Sequence, residues 1–414
     1  MKRLRITIII AVITVLAITM TGCTTFDNFK AAFIDKSRDT RAVIKIGVLE
    51  PVTGVDSPAA SEEIRGIQLA NKVYPNVNGK IVELVFSDNK SNVNATETAV
   101  ETLISKEPKM ILGSYGSVYS LVAASKIEEA KIPSISITNT NPLVTKNYDY
   151  YLRVCYVNAN QGDLLAQYVL NDGDEVKTGV MRPEKDDAAI AMATTFANRI
   201  RSEKGDDALA AYETYVAGTK DFSKQLNAIK KSGATSILLI GENVDTVDII
   251  NQAARRGIKV RFLGDKEWGS VEFAEALSPQ VSPDNLAFVQ FFSPEGRATT
   301  STVSKQRRAF LDAYEDAYGK GKTPSDNFAL GYDAYCVALD ALDKAPDDAK
   351  GPQILEVLQS PDYSFEGATG LIHFSIFGDP VKTAFITTWE NMSMRTIYTV
   401  EPTKQKPEEE EEEQ

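Results

Sequence analysis

Residues 113–145 read GSYGSVYSLVAASKIEEAKIPSISITNTNPLVT. An apolar run, residues 110–112, enters this stretch through Gly113 and Gly116, which permit a tight backbone turn. A helical pattern runs from Ser117 to Ala130, and a short apolar strand follows at residues 135–137. That strand ends in Thr138, Asn139, Thr140 and Asn141, which are poor core residues and good hydrogen-bond partners for a small polar ligand. The unpaired amides and positive dipole of a helix start at Ser117 favour an anion such as a carboxylate. Serine at that position also caps its own helix often, so spacing alone leaves both roles open.

The same alternation extends in both directions. Upstream come a strand at 43–49, a helix over 57–73 with Ile64, Ile67, Ala70 and Val73 on one face, a strand at 81–86 and a helix near 94–105. A strand at 150–154 closes this series, and its near-continuous apolar runs predict a parallel sheet covered on both faces. A second series follows, with strands at 178–181, around Tyr212, and at 236–240, 260–263 and 286–292. Helices are predicted between them at 161–170, 188–202, 222–231 and 244–255. Helices near 301–318 and 327–342 and strands near 371–374 and 384–389 complete the chain. The expectation is an α/β fold of two doubly wound lobes, joined by more than one crossing, with a central cleft. The loops expected to line it are 50–54, 88–89, 113–117, 138–141, 182–187, 241–243 and 264–268.

The ends carry other signals. Lys2, Arg3 and Arg5 precede an apolar run over 6–20 that is shorter than the roughly 20 residues of a membrane-spanning helix. It ends in Met20-Thr21-Gly22-Cys23, which looks like a lipobox. Residues 1–22 are read as a lipoprotein signal peptide, Cys23 as the lipidated residue and 23–42 as a tether. The alternative is an uncleaved anchor helix; either way the body faces away from the cytoplasm at a membrane. The chain carries a net charge of −12, and loss of the three basic residues of the leader makes the body more acidic. Nucleic acid and anionic lipid are therefore excluded as partners. Residues 401–414 carry six consecutive glutamates after Pro407 and read as a disordered, solvated acidic tail. Cys155 and Cys336 either bridge or remain two buried thiols. His373, the only histidine, lies in an alternating strand-like stretch without a nucleophile elbow, and no metal-ligand spacing or cofactor motif is present.

The run 113–145 resembles the branched-chain amino acid type of periplasmic solute-binding proteins. So do Val52-Thr53-Gly54, Arg153, Gln161-Gly162, Lys220-Asp221-Phe222, Arg256-Gly257 and residues 264–268. The resemblance covers about residues 44–389 and implies a type I periplasmic binding protein fold. Such a fold has three hinge crossings and closes on a ligand carried to an ABC permease. The implied lobes are 43–157 with 293–368, and 158–292 with 369–400. On the first lobe it implies Ser117 and Thr140 as hydroxyl contacts and Thr138 as a backbone contact to the ligand carboxylate, with Tyr115 beside them. The second lobe departs from the pattern. An aromatic contact is replaced by Glu242, a tyrosine loop by Arg182-Pro183-Glu184-Lys185-Asp186-Asp187, and the ammonium-binding acid by Lys266. Asp187, Glu242 and Asp265 or Glu267 remain to receive a cation, and Trp268 either walls the pocket or is core beneath it. A lipid-anchored, non-enzymatic receptor for an amino acid or related zwitterion is expected. A sensor of the same fold, and a carboxylate-dependent hydrolase, are the alternatives.

Overall fold

The computed structural model describes residues 41–173, 175–293 and 305–402. The expected signal peptide, Cys23, nearly all of the tether and residues 403–414 of the acidic tail lie outside the described residues. Among the described residues no helix is long and apolar enough to cross a membrane.

Strand β1 (Val43–Glu50) leads into α1 (Ser57–Val73), β2 (Asn76–Val77), β3 (Lys80–Asp88), α2 (Val93–Ile104) and β4 (Met110–Gly113). Helix α3 (Ser117–Ala130), β5 (Ser134–Ser136), the single turn α4 (Leu143–Lys146) and β6 (Tyr151–Arg153) follow. The strands form one sheet in the order β2-β3-β1-β4-β5-β6, parallel throughout except for β2. β1 sits near the middle, with Val48 paired to Phe86 on one side and Leu112 on the other.

The second set begins with α5 (Asn158–Asn171), β7 (Thr178–Pro183), α6 (Asp187–Lys204), β8 (Leu209–Tyr215) and α7 (Ser223–Ser232). It continues through β9 (Ser236–Leu239), α8 (Asn243–Arg255), β10 (Arg261–Gly264), α9 (Val271–Ala276) and β11 (Leu286–Gln290). After α10 (Lys305–Tyr318), α11 (Asp326–Lys344) and α12 (Gly351–Leu358) come β12 (Phe365–Gly367), β13 (Gly370–Phe374), β14 (Pro380–Lys382), β15 (Ala384–Glu390) and β16 (Ser393–Val400). The second sheet has the order β16-β15-β11-β10-β9-β7-β8, with β15 and β16 added antiparallel at one edge.

Two glycine contacts decide which helices belong together. A side chain at Gly331 of α11 would sit 2.4 Å from the Glu63 carbonyl oxygen, and one at Gly66 of α1 would sit 2.1 Å from that of Phe328. Only glycine allows these helices to lie so close, so α11 returns to cover the first sheet. The chain thus passes between the lobes three times: after β6, after β11 and before β15. Buried polar groups pin these crossings. Asp326 accepts the Phe291 and Phe292 amides at 2.7 and 3.0 Å, and the Lys382 ammonium donates to the Val154 carbonyl at 3.1 Å. A buried donor or acceptor left unpaired costs about 1–3 kcal/mol, which favours one hinge arrangement.

The structure differs from the sequence reading in several places. The buried face of α1 is Ala60, Glu63, Gly66, Ile67, Leu69 and Ala70, whereas Ile64 and Val73 are only half-buried. The strand near 371–374 does not enter the second sheet; β12, β13 and β14 form a small sheet of their own. Its turn is drawn to the hinge by Asp333, which accepts the Ala368 and Thr369 amides at 2.7 and 2.8 Å. Cys155 and Cys336 are separate buried thiols. His373 lies in β13, with Nδ1 3.1 Å from the Tyr363 carbonyl oxygen.

Candidate ligand-binding cleft

The first lip is built where β4 and β5 end. Gly113 has φ +102, and a Cβ there would meet Glu50 Oε1 at 2.4 Å, so this turn accepts glycine alone without displacing Glu50. Gly116, at φ 87, is the N-cap of α3. Ser117 is therefore the first residue inside the helix and does not cap it. Its Oγ has a long contact of 3.4 Å from the Asn141 amide, which brings Ser117 and the 138–141 loop together. A hydroxyl and the unpaired amides of the first helical turn thus stand beside that loop.

Arg153 explains why this loop is polar and short. It is wholly buried and donates to the carbonyls of Asn139, Asn141 and Pro142 at 2.6, 2.9 and 3.2 Å and to Thr145 Oγ1 at 2.8 Å. Asp379 pairs with its Nε at 2.7 Å. With the carbonyls turned onto one guanidinium, the loop has a single stable path. Its four polar side chains then divide. Asn139 is buried and donates to the Ser114 carbonyl, Asn141 Oδ1 accepts the Leu143 amide, and Thr138 donates to Glu63. Thr140, half-buried, takes none of these partners.

The second lip is acidic and more open. Glu242 and Asp187 are exposed, Asp265 is half-buried, and Glu267 is exposed but paired with Lys266 at 2.6 Å. Asp265 Oδ1 accepts the Glu267 amide at 3.1 Å. Burial, then the Glu267 and Glu242 charges, raise the Asp265 carboxyl to about 7. Asp186, rather than Asp187, joins Glu242 and Asp265 in the field acting on the Tyr215 phenol; Asp187 lies on the first turn of α6. Burial opposes the charge on Lys266, but Glu267 outweighs it and holds the ammonium protonated. Lys266 is fixed through its amide to Gln161 Oε1 at 3.1 Å and its carbonyl to Gln290 at 2.9 Å. Trp268 is core, stacked on Phe273 at 4.9 Å, and does not wall the cleft.

The two lips confront one another. Burial raises the Tyr115 phenol, the Lys266 ammonium works against that shift, and the Glu267 and Glu63 charges add to it. Lys266 likewise lowers Glu63, so one side chain of the second lobe acts on both Tyr115 and Glu63 of the first. Glu63 escaped the sequence reading, and Glu50 was read only as the start of the cleft-lining 50–54 loop; both are wholly buried in the first lobe. Glu50 Oε2 accepts the Tyr115 amide at 2.8 Å, and Glu63 accepts the Thr138 hydroxyl. The one available signal was a glutamate closing the apolar strand VIKIGVLE at a cleft-facing end. Among the described residues no group of histidine, cysteine or carboxylate side chains is arranged to hold a metal ion.

A family model for periplasmic binding proteins matches residues 43–393. The leucine-, isoleucine-, valine-, threonine- and alanine-binding protein of Pseudomonas aeruginosa is 24% identical over 360 residues, covering 85% of this chain and 91% of that protein. A crystal structure of a leucine binding protein from Thermotoga maritima has a TM-score of 0.68 and 28% identity, covering 87% of this chain and 99% of that one. The branched-chain amino acid transporter substrate binding protein of Streptococcus pneumoniae, in complex with isoleucine, has a TM-score of 0.67 and 28% identity, over 87% of this chain and 100% of that one. With its two facing α/β lobes and a family match over nearly the whole body, the chain belongs to the periplasmic binding protein family.

Proposed function

We propose that the protein is a lipid-anchored extracytoplasmic receptor, held at Cys23, that captures an amino acid or related small zwitterion and delivers it to an ABC permease. It makes and breaks no bond in its ligand. The observation that carries this reading is the pairing of Ser117 with the 138–141 loop at the start of α3, with Lys266 and Glu267 of the second lobe acting on Tyr115 beside it. Ser117, Thr140, the Thr138 backbone and Tyr115 receive the carboxylate; Asp265 and Glu242, with Glu267 and Asp187 at the margin, attract the ammonium. Closure follows from contacts available only when both lips engage the same molecule. The ligands of relatives, leucine and isoleucine among them, support an amino acid. Lys266 between the two acids marks this ammonium side as different from a single-carboxylate site.

Thermal-shift screening of the protein against amino acids, followed by calorimetry, tests the reading. An amino acid at 100 times its Kd stabilises the fold by about 2.7 kcal/mol and is recovered chemically unaltered. Absence of any stabilising amino acid, or turnover of the bound molecule, contradicts it.

A further inference from the structure

Glu50, at the end of β1, and Glu63, on the buried face of α1, stand beneath the first lip with no access to solvent. Each spends one oxygen on a loop of that lip: Glu50 Oε2 on the Tyr115 amide, Glu63 Oε1 on the Thr138 hydroxyl. Their other oxygens, Glu50 Oε1 and Glu63 Oε2, are buried and take no donor among the described residues. The two carboxyls lie within hydrogen-bonding reach of each other. Two ionised carboxylates offer only acceptors, so contact between them requires a proton.

We propose that Glu50 and Glu63 share a proton, and that this clasp positions the two loops forming the anion-binding lip. One arm holds Tyr115, two residues ahead of Ser117; the other holds Thr138, two residues ahead of Thr140. The proposal rests on the reading that this lip receives a carboxylate. Both glutamates are positioning residues, since they act through the loops. Loss of the clasp releases one proton to solvent and leaves two adjacent negative charges beneath an anion site.

The charged and titratable surroundings do not supply another partner for the pair. Tyr115, in the loop after β4, and Tyr151, on β6, both have phenols raised by burial and remain neutral. Burial also pushes the Cys155 thiol, just after β6, up to about 11. Lys266, from the second lobe, faces Glu63 and is paired with Glu267. Helix α11 meets Glu63 with Gly331 and presents Asp326 towards Lys266. Burial raises Glu63 to about 7 and lifts Glu50 well above the usual carboxylate range, with mutual repulsion adding to Glu50. Both carboxyls thus keep protons above the ordinary carboxylate range, and the clasp opens as rising pH removes the shared one.

Glu63→Gln keeps both bonds, because its amide can donate to Glu50 while its oxygen accepts from Thr138, but it leaves no second carboxylate to share a proton. Glu50→Gln is the companion variant should the first fail to fold. In the whole, ligand-free protein near neutral pH, the infrared difference between wild type and variant should show, only in wild type, the band of a carboxylic acid hydrogen-bonded to a second carboxylate. Folded protein holds this proton more tightly than unfolded chain. Wild-type melting temperature should thus fall more steeply than the variant's between mildly acidic and neutral pH. With L-leucine as probe, wild-type affinity should drop by about tenfold or more on moving to alkaline pH, while Glu63→Gln, which exposes no pair of adjacent charges, should lose clearly less. An absent acid band, or an equal alkaline loss in the variant, overturns the proposal. Failure of L-leucine to bind either protein at any pH would count against the amino-acid reading, while the infrared and melting comparisons still decide the clasp.

Discussion

The two lips of the cleft are built on opposite principles. On the first lobe, the groups proposed to meet the ligand are fixed by ionisable residues that water never reaches: Arg153 beneath one loop, Glu50 and Glu63 beneath both. On the second lobe, the acids stand in or near solvent, and Asp265 and Asp186 spend hydrogen bonds on their own turns. A preorganised lip suits the part of a ligand that does not vary, the carboxylate. A solvated lip can change its residues without unfolding the protein, which suits the part that distinguishes one ligand from another. Specificity in this receptor should reside in the second lobe and attachment in the first.

That contrast can be broken at its strongest point by Arg153→Ala. Removing a buried guanidinium strands three loop carbonyls and the Asp379 carboxylate, and should cost about 3–5 kcal/mol in denaturant unfolding. An effect no larger than that of a surface mutation would show that the first lip is not preorganised. Ser117→Ala should leave the melting temperature unchanged and weaken the cognate amino acid about tenfold, one hydrogen bond to a charged group. Asp265→Asn sharpens the other side of the comparison. Because burial and its acidic neighbours raise this carboxyl to about 7, wild type should lose affinity for a cationic group as pH falls through that value. The variant should bind more weakly and without this acid-side loss, in calorimetry across the same pH range. Glu242→Gln, at an exposed position, should change affinity by less than about threefold, and only at low salt.

The parts legible in the sequence were those governed by periodicity and by glycine. The alternation through residues 43–154 and 178–290 predicted both sheets, because apolar strands buried on two faces leave an unambiguous pattern. The meeting of Ser117 with the Thr140 loop was expected and is present. What stayed hidden depended on contacts distant in sequence. Glu63 lies on the buried face of α1 because α11, some 260 residues away, presses Gly331 against it, and nothing local distinguishes it from Glu62. Strand β16, SMRTIYTV, mixes polar and apolar residues and is half-exposed because it is an edge strand. The strand near 371–374 was expected, but β14 and the small separate sheet were not, because Asp333 and Lys382 hold them at the hinge through contacts distant in sequence. Asp186 and Asp187 are adjacent, and only the cap geometry of α6 separates their environments.

The most direct measurement compares, by calorimetry, the amino acid that best stabilises the protein with its α-carboxamide, which keeps the ammonium and side chain but removes the anion. If the hydroxyl-bearing loops of the first lobe grip a carboxylate, the amide should bind at least about a hundredfold more weakly, the equivalent of roughly 2.7 kcal/mol. Equal affinity for the two molecules would place the ligand's anion elsewhere and remove the basis for the site.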